Sequence, residues 1–396
     1  MPAALEGIRV IEAATYVTGP FAGVMLADLG AEVLKIEEPE RGDPFRAWGQ
    51  GDYSPTFCSL NRNKKSVALD LRTEEGRSAL LRLIDTADVL IENYRPGVAE
   101  RLGFGYEAVR LRNPRLIYCS ITGFGPTGPY RNRPGYDTVG QAMSGLLSLL
   151  TDLESPQPMG ISLSDHVTGM YACYGILGAL MARERRGGMG QLVETSLLQA
   201  TVAFVAENAA RFFAEGRSPS RESRTRLAQV YAFRAGDGKA FVVHLSSPQK
   251  FWEGLVRAVG RDTWLDDPRF RTRPARQEHY WDLHAALAEI FRTASRAEWL
   301  ARLEQRDVPC APISTLAEVF DDPQVQHLGL RMCVEHPQRG PVDLVAPGVR
   351  LERTPALFRL PPPTLGEHTK EVLEAQAAGG EEQRARSDEE GTRKTP

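Results

Sequence analysis

In the first half of the chain, short apolar runs alternate with helix-like stretches. Residues 8–13, IRVIEA, are an apolar run followed by the loop ATYVTGP and the helical segment FAGVMLADLG; a second run, AEVLKIE, ends at Glu37 and Glu38. Strand, helix and strand within about 30 residues open a doubly wound parallel sheet. The unit then recurs as SVALDL, the helix TEEGRSALLRLIDTA and the run DVLIEN. After a helix near 106–112, RLIYCSITG supplies another strand. The pattern changes at 161–197, where a short polar segment meets a long apolar helix at Asp165 and no further charge appears until Arg183. A basic cluster, a glycine turn (Gly187, Gly188, Gly190) and the strand-like QLVETSL close this stretch. With apolar side chains on all sides, the helix is expected to be buried. Its Gly169, Ala172, Gly175, Ala179 and Ala182, spaced by three and four, would let a neighbouring backbone come close.

The second half reads differently. Residues 201–225 begin as a helix and end polar, basic and serine-rich, as an interdomain linker would. YAFRAGDGKAFVVHLSS fits a hairpin around AGDGK. QKFWEGLVRAVG, YWDLHAALAEIFRT and RAEWLARLEQR are amphipathic helices, so 226–328 reads as a small α+β domain. Over 329–374, RMCVEH, VDLVAPGVRLER and FRLPPP are expected as strands returning to the first domain, and the charged segment 375–396 is expected to be disordered. The fold class is therefore α/β: a large Rossmann-like domain with a parallel-rich sheet, whose N-terminal part is 1–200, plus the smaller α+β domain.

A length of 396 residues agrees with two domains. The chain is 42% hydrophobic and 25% charged with a net charge of -3, which argues against a general nucleic-acid or membrane-surface binder. Any anion must then be met by a local basic patch. Five cysteines, Cys58, Cys119, Cys173, Cys310 and Cys333, form no CxxC pair, and no His or Cys spacing suits a metal. These features point to a reduced, metal-free intracellular protein. The chain shows neither a basic and apolar leader nor an apolar run of about 18 residues, so a cytoplasmic location is expected.

In such a sheet the ligand lies off the carboxyl ends of the strands. Here those ends are ATYVTGP, EEPERGDP, ENYRPG and GFGPTGPYRNRPGYD. A nicotinamide dinucleotide is the first ligand to consider, with Glu37 or Glu38 facing a ribose. The first turn lacks GxGxxG, however, and that argues against it. Asn61, Arg62, Asn63, Lys64, Lys65, Arg72 and Arg77 form either a solvated face or a phosphate grip. Asp165 sits where free helix N–H groups and the helix dipole favour an anion, which suits a nucleophile. It also suits a plain helix cap, and position alone leaves both open. His166 is adjacent on the helix and faces elsewhere, so no Asp–His dyad is expected.

Taken together, LEGIRVIEAATYVTGPFAGVMLADLGAEVLKIEEPERGD, NRNKKSVALDLRTEEGR, ADVLIENYRPGVAERLGFGYE, RLIYCSITGFGPTGPY, GYDTVGQAMSGL and GILGALMARERRGGMGQ resemble the family III CoA-transferases, with their α-methylacyl-CoA racemase relatives. The resemblance implies an interlocked homodimer in which each chain threads through the other. It implies a catalytic aspartate at Asp165 and CoA contacts at Tyr16, Val17, Leu69, Arg72, Asn93, Tyr94, Arg101 and Leu102. The substrates would be an acyl-CoA thioester and a small carboxylic acid, with no permanent cofactor. Tyr136 and Asp137 are read as substrate-orienting or as loop packing. Arg46, Arg131 and Arg133 are either surface residues or partners for the distal carboxylate of a dicarboxylic acyl group such as succinyl.

The racemase branch carries a His and Asp pair where this chain has Tyr136 and Asp137, and a Glu where it has Ser247. A racemase needs two positioned acid/base groups, whereas transfer needs one nucleophile, so transfer is the favoured reading. The glycine-rich lid of some transferases is not evident near 245–250. A racemase and a non-catalytic acyl-CoA-binding homologue remain the alternatives.

Overall fold

Two alternating faces of apolar residues explain the central sheet. In the computed structural model, which describes residues 2–49 and 51–378, β1 (Arg9–Ala13), β2 (Glu32–Glu37), β3 (Lys64–Ala68), β4 (Val89–Glu92), β5 (Ile117–Thr122) and β6 (Leu192–Ser196) lie in the order β3-β2-β1-β4-β5-β6. Every neighbouring pair is parallel. Ile11, Leu34 and Leu90 point to one face, where Leu80, Leu83 and Ile84 of the helix Glu74–Asp85 cover them. Val10, Val33 and Val89 point to the other, against Ala22 and Leu26 of the helix Thr18–Asp28 and Ala172 and Ile176 of the helix Leu163–Arg185. Period-two alternation with both faces apolar is what a parallel sheet covered on two sides requires. The strand order reverses between β1 and β4, which opens a crevice at their carboxyl ends.

The helix Leu163–Arg185 corrects one expectation. It crosses the 18–28 helix at Gly169, where a Cβ would come within 2.7 Å of the Thr18 carbonyl oxygen, so close approach does depend on the small residue. Yet only one side is covered in the chain, since Met170, Tyr174 and Met181 are 44%, 74% and 55% exposed. An apolar composition on all sides says that both faces avoid water, but not what covers the second.

The chain divides into two units: one of 1–146, 159–206 and the segment from 329 onward, the other of 147–158 and 207–328. The stretch 201–225, expected as a linker, instead carries the second half of the helix Leu197–Phe204, all of Ala206–Glu215 and part of Arg221–Ala228. Arg221 and Arg224 are exposed on the last of these helices, which Ser220 caps. The second unit holds an antiparallel sheet of β7 (Val230–Arg234), β8 (Ala240–His244) and β9 (Cys310–Pro312). Trp252, Leu255, Leu287 and Phe291 form its core.

After the hairpin of β10 (Arg331–His336) and β11 (Gly340–Val345), the chain packs on the first unit without further strands. FRLPPP is therefore not a strand: three successive prolines offer no ladder donors. It is tied down instead by Asn63, whose N–H donates to the Leu360 carbonyl at 2.8 Å, and by Tyr53, whose hydroxyl donates to the Pro362 carbonyl. Residues 369–378 are helical, so 375–378 are ordered and not part of a disordered tail; 379–396 lie outside the described residues.

Candidate active site

A cavity of about 200 Å³ opens at the crevice, lined by Tyr16 and Val17 after β1, Asn93 and Tyr94 after β4, Arg131, Arg133 and Tyr136 after β5, and Asp165. The sequence keeps each wall in place by side-chain to backbone bonds. Asn93 accepts from the Thr15 N–H at 3.0 Å and donates to the Thr15 carbonyl at 2.7 Å and to the Thr18 hydroxyl at 3.1 Å, which fixes the first loop against the second. Tyr16 adopts φ +63°, an unusual left-handed conformation for an aromatic residue. Its N–H donates to Asp43, and its ring meets those of Phe45 and Tyr136 edge-on.

Asp43 is held in turn by charges buried beneath the loop. Lys35 Nζ lies 2.8 Å from Asp43, 3.0 Å from Glu12 and 2.9 Å from the Ala14 carbonyl, and Lys64 Nζ lies 2.7 Å from Glu12. Burial favours neutral Lys35, but Asp43, Glu12 and Glu37 outweigh it and raise its pKa. For Lys64 burial dominates and lowers the pKa to about 8. Losing one member would leave an uncompensated buried charge, so the network acts as a unit. Sequence reasoning passed over Glu12, Lys35 and Asp43. A usable signal existed, because a charge in the middle of a doubly covered strand must find a partner.

Asp165 is the third residue of its helix, not its cap; Ser162 occupies the cap position and makes no side-chain cap bond. Among the described residues no donor reaches the Asp165 carboxylate. Burial, with a smaller contribution from neighbouring Asp137, raises its pKa to about 7. The Asp165 carboxylate thus stands at the cavity wall with no donor committed to it among the described residues, and with its basicity raised. Of the N–H groups at the start of this helix, those of Leu163, Asp165 and His166 are already taken, by Ile161, Asp137 and Ser162, so they are not free to meet an oxyanion. The first turn of the 18–28 helix, which no side chain caps, borders the cavity through Val17 and Thr18.

Other sequence candidates fall elsewhere. Leu69, Arg72, Tyr94 and Leu102 line a second, wider cleft of about 880 Å³ off the ends of β2 and β3, with Tyr94 shared between the two. Arg72 is exposed there and paired with Asp70 and Glu38. Arg101 is exposed and lines neither space. Arg46 is no substrate arginine: it is 1% exposed, doubly bonded to Glu37 and stacked on Phe57. The group from Asn61 to Lys64 is no phosphate grip, since Lys64 serves Glu12 while Arg62 and Asn63 serve Asp28. Buried carboxylates, invisible in a linear sequence, had already claimed these cations.

A sheet in dinucleotide-type order, a first turn without the dinucleotide fingerprint and a carboxylate in the crevice now stand together. The family described as CoA-transferase family III matches residues 5–369. The chain belongs to this family. The succinate–glutarate CoA-transferase of Agrobacterium fabrum is 36% identical over 385 residues, covering 93% of this chain and 94% of the relative. The succinyl-CoA:glutarate CoA-transferase of Homo sapiens is 35% identical over 376 residues, covering 93% and 85%. Among solved structures, a CaiB/BaiF family protein from Brucella suis superposes with a TM-score of 0.84 at 35% identity, covering 95% of this chain and 100% of that one. The protein is a CoA-transferase.

Proposed function

We propose that this transferase moves CoA from a dicarboxylic acyl-CoA, such as succinyl-CoA, to a free carboxylic acid, with Asp165 as the nucleophile. The observation that carries this reading is the unpaired Asp165 carboxylate on the cavity wall, raised in basicity by burial. Asp165 attacks the thioester carbonyl and expels CoA thiolate, leaving an acyl-aspartyl anhydride. The thiolate attacks the aspartyl carbonyl and releases the donor acid, giving an aspartyl-CoA thioester. The acceptor carboxylate attacks that thioester, and the thiolate then takes the acceptor acyl group and frees Asp165. No step needs a net proton, so a single nucleophile suffices. N–H groups of the uncapped 18–28 helix supply the oxyanion donors, an effect often worth about 3 kcal/mol per donor. Arg131 and Arg133, on the cavity wall, receive the distal carboxylate. The preference for dicarboxylic acids rests on these arginines and on the names of the relatives.

We place the enzyme in an interlocked homodimer. The exposed Met170, Tyr174 and Met181 stripe supports this, as does the helix Ala206–Glu215, which buries none of its residues within the chain. The deciding experiment offers the protein succinyl-, glutaryl- and butyryl-CoA with a panel of free acids and identifies new thioesters by mass spectrometry. New dicarboxylic thioesters formed by wild type, and lost with Asp165→Asn, are the expected result. Deuterium exchange at the α-carbon of a 2-methylacyl-CoA without transfer would point to a racemase instead.

A further inference from the structure

The start of the nucleophile helix is held by another helix. Asp165 is at the third position, where the N–H has no partner within the helix and a cap residue normally accepts it. Ser162 does not. The acceptor is Asp137 Oδ1, at 3.1 Å, from the first residue of the helix Asp137–Met143. The other oxygen of Asp137 accepts from Gln141 Nε2 at 2.5 Å, and the same amide group donates to the Ile161 carbonyl at 3.0 Å. Asp137 and Gln141 are four residues apart and so share a helix face. Gln141 is 0% exposed and ties its own helix to the segment that leads into Asp165. The two helices touch at backbone distance: a Cβ on Gly140 would lie 2.4 Å from the Ser164 hydroxyl oxygen. On the far side, Ser164 is bonded to Thr201 at 2.7 Å.

We propose that Asp137, held by Gln141, is the positioning residue for Asp165: it caps the 163–185 helix from outside and sets a fixed negative charge beside the attacking carboxylate. This rests on the reading of Asp165 as nucleophile. The cap fixes the direction of the first turn and so the place of the Asp165 side chain on the cavity wall. The charge acts on the chemistry. Free Asp165 is an anion next to an anion, whereas acyl-aspartate is neutral, the charge having left on the CoA thiolate. Asp137 therefore disfavours the free form relative to the acylated one and keeps the nucleophile basic. The other charged or titratable groups around Asp165 among the described residues are Tyr16 from the first loop, Tyr94 and Arg95 after β4, Arg131, Arg133 and Tyr136 from the loop after β5, and His166 on its own helix, packed on Phe21. Of all these, Asp137 is the neighbour that raises the Asp165 pKa, second to burial.

The sign follows: Asp165 must be ionised to attack, so kcat/KM falls as pH drops through about 7. The test compares the pH dependence of kcat/KM for wild type, Asp137→Asn and Asp137→Ala, with thermal melting to establish that each is folded. Both neutral variants are expected to move the acidic limb down by about one pH unit. Asp137→Asn keeps an acceptor for the Asp165 N–H and should retain a higher kcat than Asp137→Ala. An unmoved limb in folded variants overturns the proposal, and so does an equal kcat loss in both. Mass spectrometry of wild type incubated with acyl-CoA separates this from the underlying reading. An adduct on the Asp165 peptide with an unmoved limb refutes only the role of Asp137, whereas absence of any adduct refutes the nucleophile itself.

Discussion

At the scale of single residues, the site combines side chains of very different legibility. Asp165 was marked in the sequence by one acidic residue at the head of a long uncharged helix, yet cap and nucleophile could not be told apart there. The structure removes the cap reading, because Ser162 holds the cap position and Asp165 lies inside the first turn. Removing the nucleophile we propose, by Asp165→Ala, should lower kcat on the order of 10⁴-fold or more while leaving the binding of acyl-CoA near wild type. Stopped-flow binding alongside steady-state rates would reveal it, and retention of turnover would eliminate Asp165 as nucleophile. Arg131 faces the same cavity with no acidic side chain paired to it among the described residues. Arg131→Gln should raise KM for succinyl-CoA about tenfold, the loss of roughly 1.4 kcal/mol, and leave butyryl-CoA unaffected. Equal effects on both substrates would rule out recognition of the distal carboxylate.

At the scale of elements, helix starts and helix crossings build the crevice. The 18–28 helix brings Val17 and Thr18 to the cavity, and its place depends on the crossing at Gly169, where Thr18 O and Phe21 lie within 2.7 and 3.1 Å of an added Cβ. Gly169→Val must push the two helices apart, and overpacking of this kind costs about 1–3 kcal/mol. A lower denaturant midpoint with an unchanged slope is expected, together with a raised KM for acyl-CoA, because Thr18 moves with its helix. Unchanged stability would mean that the crossing tolerates a side chain. The spacing of small residues signalled this crossing correctly, but which helix would cross there was not readable.

At the scale of the molecule, the apolar stripe of Met170, Tyr174 and Met181 is the surface a second chain would cover. For the interlocked dimer we propose, the expected solution mass is twice 43.8 kDa. Two differently tagged preparations, mixed while folded, should not form mixed dimers; mixed dimers should appear only after joint unfolding and refolding. Rapid exchange between native dimers would refute interlocking while leaving a simple dimer intact.

The sequence by itself determined the alternation of strands and helices, the absence of a dinucleotide fingerprint and the acidic residue at a helix start, because each is a local property of residues near one another along the chain. Only the tertiary structure decided which charges meet. It buried Arg46 against Glu37 rather than leaving it for a substrate carboxylate, buried Lys64 against Glu12 rather than leaving it for a phosphate, and drew 147–158 into the second unit. It also set Asp137 against the N–H of Asp165. Ion pairs and caps between residues far apart in sequence depend on how the sheet orders its strands and how closely its helices cross, and neither is written in the spacing of any one segment.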